Sequence, residues 1–363
     1  MKLFKSLLVA PATLGLLAPI AASANEVTIN DFNAAEEIAV TNSRVDGLEA
    51  RFNDLEAGSF SETTTASFGV DFLVGAVDGA SNEKTTFDYQ MGIGLETSFT
   101  GEDSLSATID IGNASSEIGG TDGLNFDGTS DALKLDGLTY TFPVGGATVM
   151  VGDNTDISAV YTGACAYSSF TDYMGNCGTG NSVGVGGNGV TAAMSYAFDG
   201  GFSLAGGISS TQITDATPGV VTGILTEEGT DTFGIEAAYT ADSYGVSVAY
   251  SDNESSTFWG INGTYAFDFA TLSAGVESED TGSATKEGYF LGLSFPEVGA
   301  GSFDIGMGTT GNFADSETET YIYEASYAYP INDGMTITPG IYMREVDGAD
   351  DQTGFAVKTS FSF

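Results

Sequence analysis

Carboxylates are the most abundant charged side chains in this sequence, and they could bind ions or take part in a reaction. The 363 residues include 50 Asp and Glu against 9 Lys and Arg, with a formal net charge of −41 and no histidine. Without histidine, the His-dependent triads, His metal sites and most His acid–base chemistry are excluded. The acidic balance disfavours nucleic acid and anionic membrane surfaces as partners and favours cations.

The carboxylates that could act on a solute lie on one long loop or on the polar faces of alternating segments. The loop candidates are Asp153, Asp156 and Asp172. The strand candidates are Asp88, Glu96, Asp110, Glu236 and Glu324. The positive charges on such faces are Arg344 and Lys358. Together the acids would attract cations, as charged rings do in channels, although any single one could be merely a solvated residue.

Two cysteines and two groups of aspartates are the remaining candidate sites. Cys165 and Cys177 are an even count in a chain that looks exported, so a disulfide between them is expected. Two cysteines are too few for a zinc site, and no cofactor is expected. Loop Ca²⁺ is an open alternative, although neither group matches the twelve-residue calcium loop. The groups are Asp122, Asp127 and Asp131, and Asp347, Asp350 and Asp351.

The first 24 residues have the pattern of a secretory signal peptide. Lys2 and Lys5 precede an apolar run over 7–20, and Ala22-Ser23-Ala24 is a cleavage site. The apolar run is short for a membrane span, which disfavours the alternative of an uncleaved anchor. A mature protein in a membrane would then have to cross it as a closed barrel.

The last ten residues alternate strictly between apolar and small or polar side chains. Phe355, Val357, Thr359, Phe361 and Phe363 share one face, which predicts a strand with one apolar face. A terminal aromatic on such a strand is typical of outer-membrane barrels. Their assembly machinery reads the closing strand, so Phe363 is the predicted assembly signal.

Alternating segments continue through most of the chain and predict an all-β, transmembrane antiparallel barrel over 61–363. We count about sixteen strands, with a bulge near Gly137 where the phase of the leucines changes. Short connections flanked by aromatics alternate with longer ones, as in outer-membrane barrels. The longer ones include 252–256 and 278–285. A soluble β-sandwich, the alternative, would lack this alternation of connection length.

A short helical stub precedes the predicted barrel within 25–60. Apolar residues at steps of three and four over 36–56 form an a/d seam of about three heptads. We favour a periplasmic coiled coil that joins protomers in a homotrimer over a single amphipathic helix that covers or plugs the barrel mouth. Residues 58–60 begin the linker to the first strand.

Several stretches resemble the Som-type porins of cyanobacteria, which are related to carbohydrate-selective porins. They are Met1-Lys2-Leu3-Phe4, Val9-Ala10-Pro11-Ala12, Arg44 to Arg51, Leu138 to Pro143 and the terminal Phe363. The resemblance implies uptake of inorganic ions, iron included, and of small solutes such as sugars. Family members carry an S-layer-homology domain before the coiled coil; we expect this chain to lack it, because only about twenty residues separate Ala24 from the coiled-coil stretch at Arg44 to Arg51.

These observations predict a porin that gives passive diffusion of small hydrophilic solutes and inorganic ions. Sixteen strands enclose an aqueous channel, and the longest loop, 153–188 after the fifth strand, is expected to fold inward and constrict it. The excess of acid predicts a preference for cations. Expected partners are outer-membrane lipid, lipopolysaccharide and the barrel-assembly machinery. The alternative is a structural protein that links the outer membrane to the cell wall through the stub; an enzyme is not expected.

Overall fold

The computed structural model describes residues 64–80, 83, 85–114, 126, 128–172, 189–210, 224–225 and 230–363. The predicted signal peptide, helical stub and linker lie outside these residues, as does Cys177. Within the described ranges, no helix is both long enough and apolar enough to cross a membrane.

One antiparallel sheet contains all the strands of the described residues. The strands are β1 (Thr64–Asp78), β2 (Thr85–Thr97), β3 (Ser104–Gly112), β4 (Lys134–Val144), β5 (Ala147–Thr155), β6 (Gly189–Ala197), β7 (Phe202–Ser210), β8 (Asp231–Thr240), β9 (Tyr244–Asp252), β10 (Thr257–Ala266), β11 (Thr271–Asp280), β12 (Thr285–Val298), β13 (Gly301–Thr309), β14 (Phe313–Ala314), β15 (Tyr321–Asn332), β16 (Met335–Arg344) and β17 (Gln352–Ser362). The two-residue β14 pairs only with β12. The other sixteen pair in succession, and β17 pairs with β1, so the predicted sixteen-stranded barrel is confirmed.

The closing seam lies between β1 and β17. The register runs from Gly69 opposite Ser362 to Asp78 opposite Thr353. At the end of the chain, Phe363 N–H donates to the Phe68 carbonyl (3.1 Å) and Phe68 N–H donates to the Phe363 carbonyl (2.9 Å). The two rings stack with centroids 5.7 Å apart, so the predicted terminal strand closes the barrel.

The apolar face of each strand points outward and the small or polar face points inward. On β17, Phe355 is 54% exposed whereas the next residue, Ala356, is fully buried. On β9, the outward face carries Tyr244, Val246 and Val248, all exposed. A barrel with such a band of exposed apolar side chains is suited to lipid rather than water on its outside.

The predicted bulge lies in β4 beside Gly137. Thr108 pairs with Gly137 and Ile109 pairs with Leu135, so Asp136 is the extra residue. The Asn154 side-chain amide donates to the Leu135 carbonyl at 3.0 Å and also to the Asp136 carbonyl. Because of the bulge, Leu135 and Leu138 both remain on the outward face despite their odd spacing.

Two of the predicted longer connections are short in the structure. The loop expected over 278–285 is only 281–284, because β11 and β12 continue through the pairs Glu279 with Lys286 and Asp280 with Thr285. The connection expected over 252–256 is 253–256. Both are as short as the turn 267–270 at the opposite rim, so the prediction of strict alternation in connection length was wrong at these two sites.

Aromatic side chains line the rim formed by the short turns. Tyr265 and Phe267 have ring centroids 4.7 Å apart, and Phe267 and Phe269 are 5.9 Å apart. The row continues through Phe295, 6.4 Å from Phe269, to Phe303 at 6.1 Å. Its position beside the turns 267–270 and 299–300 is the one that the sequence predicts.

Candidate pore constriction

The segment that follows β5 turns into the barrel instead of continuing outward. Asp156 caps a single-turn 3-10 helix (Ile157–Val160) by accepting a hydrogen bond from the Ser158 backbone N–H at 2.8 Å. Asp156 therefore lies on the loop, as predicted, but its carboxylate binds the loop backbone rather than facing open space. The Ile157 side chain is fully buried and packs on the inner wall in one cluster with Met150, Ala193, Ala249 and Phe258.

Glu236 on β8 holds the next part of the segment. Its carboxylate is 1% exposed and accepts the backbone N–H of Thr162 at 2.7 Å and that of Gly163 at 2.8 Å. One oxygen serves each donor, so both carboxylate oxygens are engaged. Farther along, the Ala166 N–H donates to the Ser273 hydroxyl on β11 at 3.0 Å.

Glu324 on β15 holds the far part of the segment with four hydrogen bonds. Its Oε1 accepts from the Tyr167 hydroxyl (2.8 Å) and the Phe170 N–H (2.7 Å). Its Oε2 accepts from the Thr171 N–H (2.8 Å) and the Thr171 hydroxyl (2.6 Å). Burial, and then the neighbouring Glu324 charge, raises the pKa of the Tyr167 hydroxyl, which keeps it protonated as a donor.

Glycines on the wall allow the aromatic rings of the segment to lie directly against the strands. A Cβ at Gly292 would be 2.3 Å from the Tyr167 ring, and a Cβ at Gly340 would be 2.4 Å from the Phe170 ring. Phe170 also packs beside Leu73 and Ala356. In the order of the sheet, the segment therefore follows the inner wall from β8 through β17 to β1, ten of the sixteen barrel strands.

The strand carboxylates predicted for the lumen lie on the inner face. Asp88 is buried next to the exposed Phe87, and Glu96 is exposed on the same face of β2. Asp110 faces inward from β3 opposite Lys134. Glu236 and Glu324 are inward as well, but they bind the loop segment rather than open space.

The remaining predicted site residues are divided between the two faces. Lys358 is inward on β17, opposite Leu73 and Thr338, and Arg344 is inward at the end of β16. Asp172 is exposed directly after the anchored Thr171. Asp153 differs: it lies in β5 opposite Leu138 and shares the outward face with Val151, so we leave it out of the pore residues proposed below.

Sequence reasoning overlooked two inward lysines. Lys134 pairs with Asp110, and Lys286 pairs with Glu279. Lys134 precedes the bulge, where the phase of β4 changes, and Lys286 adjoins the loop that was expected to be longer. Their inward orientation could have been predicted from the strand register, because each lysine is directly opposite an acidic residue of the neighbouring strand. All four basic residues within the described ranges, Lys134, Lys286, Arg344 and Lys358, lie on the inner face.

The cysteine and calcium predictions are only partly within the described residues. Cys165 is half-buried in the loop segment and is not a free thiol, but its expected partner Cys177 lies outside the described ranges, so the disulfide stays a prediction. Among the described residues, no three or more His, Cys, Asp or Glu side chains form a metal-binding group. Asp347, Asp350 and Asp351 are described; Asp122 and Asp127 are not.

Comparisons with known proteins give a fold but no family. No family model matches the chain. An uncharacterized protein of Nostoc sp. (strain PCC 7120) is 36% identical over 131 residues, which cover 31% of this chain and 23% of that protein. OprB of Pseudomonas putida superposes with a TM-score of 0.65 at 13% identity, over 83% of this chain and 94% of OprB. A double mutant of the Rh. blastica porin superposes with a TM-score of 0.54 at 17% identity, over 83% and 100%. The chain therefore has the fold of these porins.

Proposed function

We propose that the protein is an outer-membrane porin for passive diffusion of small hydrophilic solutes and inorganic ions, with a preference for cations. The observation that carries this proposal is the segment 156–172, held along the inner wall of a sixteen-stranded barrel by Glu236 and Glu324. A barrel of this size would enclose water, and a fixed inner segment would set the width of the passage.

The charges that would face a permeating ion support the cation preference. Glu96 and Asp172 are exposed, and Asp88 is inward, whereas Arg344 and Lys358 are the predicted inward cations. Lys134 and Lys286 each pair with an acid, Asp110 and Glu279, which limits their contribution to the net field. Clefts lined by one sign of charge concentrate counter-ions, here cations.

The outer surface supports a membrane location. Exposed apolar strand residues form the band that would meet lipid, and the aromatic row at the short-turn rim would lie at the periplasmic boundary. We propose that the assembly machinery reads the β17 end with Phe363, that longer loops meet lipopolysaccharide, and that the helical stub lies in the periplasm and joins a homotrimer. Iron and sugars are proposed as solutes from the family resemblance alone.

Planar-bilayer recording of the purified, refolded protein across a KCl gradient tests the proposal. We expect stepwise conductance and a reversal potential that reports cation preference. Glu96→Gln combined with Asp172→Asn should reduce the preference, whereas Asp347→Asn, in a loop between β16 and β17, is the matched control.

Two results would count against this function. A preference for anions would contradict the pore electrostatics. Absence of any conductance from correctly folded protein would contradict the channel, and would favour the structural alternative, which a peptidoglycan pull-down with the full chain measures directly.

A further inference from the structure

We infer that Glu277, with the amide oxygens of Asn262 and Asn312, forms a cation-binding site on the inner wall. Glu277 lies on the inner face of β11, between the loop-segment contact at Ser273 and the connection 281–284. It is only 5% exposed, and in the described part of the chain its Oε2 has no hydrogen-bond partner. A buried carboxylate oxygen without a partner is unfavourable unless something binds it.

Two asparagine side chains neighbour this carboxylate, one in contact with it and one diagonally across the sheet. The Asn312 side chain hydrogen-bonds the Glu277 carboxylate and leaves its own Oδ1 without a partner among the described residues. The Asn262 side chain on β10 is 3% exposed, and its Oδ1 is likewise unpartnered among them. In this part of the structure, one carboxylate oxygen and two amide oxygens are thus buried without a partner among the described residues.

Glycines on either side of Glu277 make room for these amides. A Cβ at Gly288, the residue directly opposite Glu277 on β12, would be 2.3 Å from Asn312 Oδ1. A Cβ at Gly275, two residues before Glu277 on the same face, would be 2.2 Å from Asn262 Oδ1. Directly opposite residues have Cβ positions about 5 Å apart, which places Asn312 Oδ1, beside Gly288, close to the Glu277 carboxylate. Asn262 is opposite Gly275 and is therefore the diagonal neighbour of Glu277, about 7 Å away and within reach of a long side chain.

The oxygen atoms of the proposed site determine which class of ligand it would bind. Carboxylate and amide oxygens are the ligands that hard cations such as Ca²⁺ prefer. The nearest lysine in the register, Lys286, stands opposite Glu279 rather than Glu277. Glu279 also accepts a hydrogen bond from the Ser256 hydroxyl at 3.1 Å, so it is already satisfied where Glu277 is not.

A single carboxylate makes such a site weak, because affinity for hard cations rises with the number of charged ligands. Weak binding suits an ion that must enter and leave a channel. The inference extends the proposed cation preference, but binding and conduction are measured separately, so a protein that does not conduct would leave the binding test intact.

Calorimetric titration of Ca²⁺ into the full chain, folded in detergent, tests the site. We expect millimolar or tighter binding, and a loss of at least about tenfold in affinity at one site in Glu277→Gln. The matched control, Glu279→Gln on the same face of the same strand, should bind as the native protein does. Asn262→Asp adds a charge in nearly the same shape and should tighten binding severalfold.

Three results of these titrations would overturn the proposed site. No binding up to about 10 mM Ca²⁺, well above the range of weak extracellular calcium sites, would overturn the inference. Equal weakening by Glu277→Gln and Glu279→Gln would also overturn it, because it would indicate diffuse attraction by the acidic surface. If Glu277→Gln fails to fold, Asn262→Asp decides: unchanged or weaker binding there would refute the site.

Discussion

Glu324→Gln is the substitution that tests most directly whether the segment 156–172 defines the pore. The native carboxylate accepts two hydrogen bonds on each oxygen, from Tyr167 and Phe170 on one and from Thr171 on the other. Glutamine keeps the shape but replaces one oxygen with an NH₂ group. Whichever way the amide turns, that NH₂ group faces two donors.

The loss can be estimated from these contacts. Two hydrogen bonds to a charged acceptor contribute about 1.5–3 kcal/mol each, so about 3–6 kcal/mol is at stake. If the NH₂ group faces Thr171, the Thr171 hydroxyl can rotate and accept from it, which favours the lower end. A loss of about 3 kcal/mol raises the fraction of released segment by roughly a hundredfold. The barrel itself should fold, because its strand pairing does not involve the Glu324 side chain.

Single-channel recording is the assay. We expect larger mean conductance and more low-frequency noise than in the native protein, because the segment would leave the wall part of the time. Asp347→Asn is the control, since Asp347 is an exposed carboxylate in the loop between β16 and β17, outside the two anchors. If Glu324→Gln and Asp347→Asn give the same conductance and noise, the anchors do not set the pore, and the reasoning fails.

Three further predictions follow from particular contacts. In Glu236→Gln, an NH₂ group would face one of the two backbone N–H donors of the segment, so we expect the attachment of the segment to weaken by about 1.5–3 kcal/mol. In the same recordings, the rise in current noise should be smaller than in Glu324→Gln. Gly292→Val puts a Cβ 2.3 Å from the Tyr167 ring, so the ring must move and conductance should change while heat-modifiable mobility on gels stays that of a folded barrel. Burial acts to raise the pKa of Asp103, but hydrogen bonds from the turn backbone and the Tyr140 hydroxyl outweigh it and hold the pKa well below its usual range. Because the pKa of Asp103 is lowered in the folded state, its contribution to stability should be complete above the unfolded pKa of about 3.9 and should be lost as the pH falls further. The urea midpoints of the native protein and of Asp103→Asn should therefore converge below about pH 4. A difference between the midpoints that widens there would contradict this prediction.

Much of the barrel could be predicted from the sequence because the outward face of every strand is apolar. A side-chain period of two fixes which residues face lipid, so Phe355 and Phe361 could be assigned without knowing the partners of β17. The bulge at Gly137 was predictable for the same reason, since Leu135 and Leu138 must both remain outward. The closing pair with β1 then follows from the strand count.

Strand ends were harder to predict, because polar residues occur both in loops and on inner faces. Glu279, Asp280 and Lys286 look like loop residues in the sequence, yet they extend β11 and β12 through direct pairing. A charged residue near the end of a strand satisfies the alternation pattern equally well if it faces the lumen. Only its partner on the neighbouring strand decides the matter.

The path of the loop segment was beyond sequence reasoning, because it depends on contacts between residues far apart in the chain. Glu236 and Glu324 were predicted as lumen acids that would meet permeating ions, whereas the structure gives them six hydrogen bonds to the segment. Both oxygens of each carboxylate thus already accept hydrogen bonds from backbone N–H or hydroxyl groups before any ion arrives. Two of the strongest candidates for attracting cations therefore act on the shape of the passage, and selectivity must rest on carboxylates that the segment leaves unbound, such as Glu96 and Asp172.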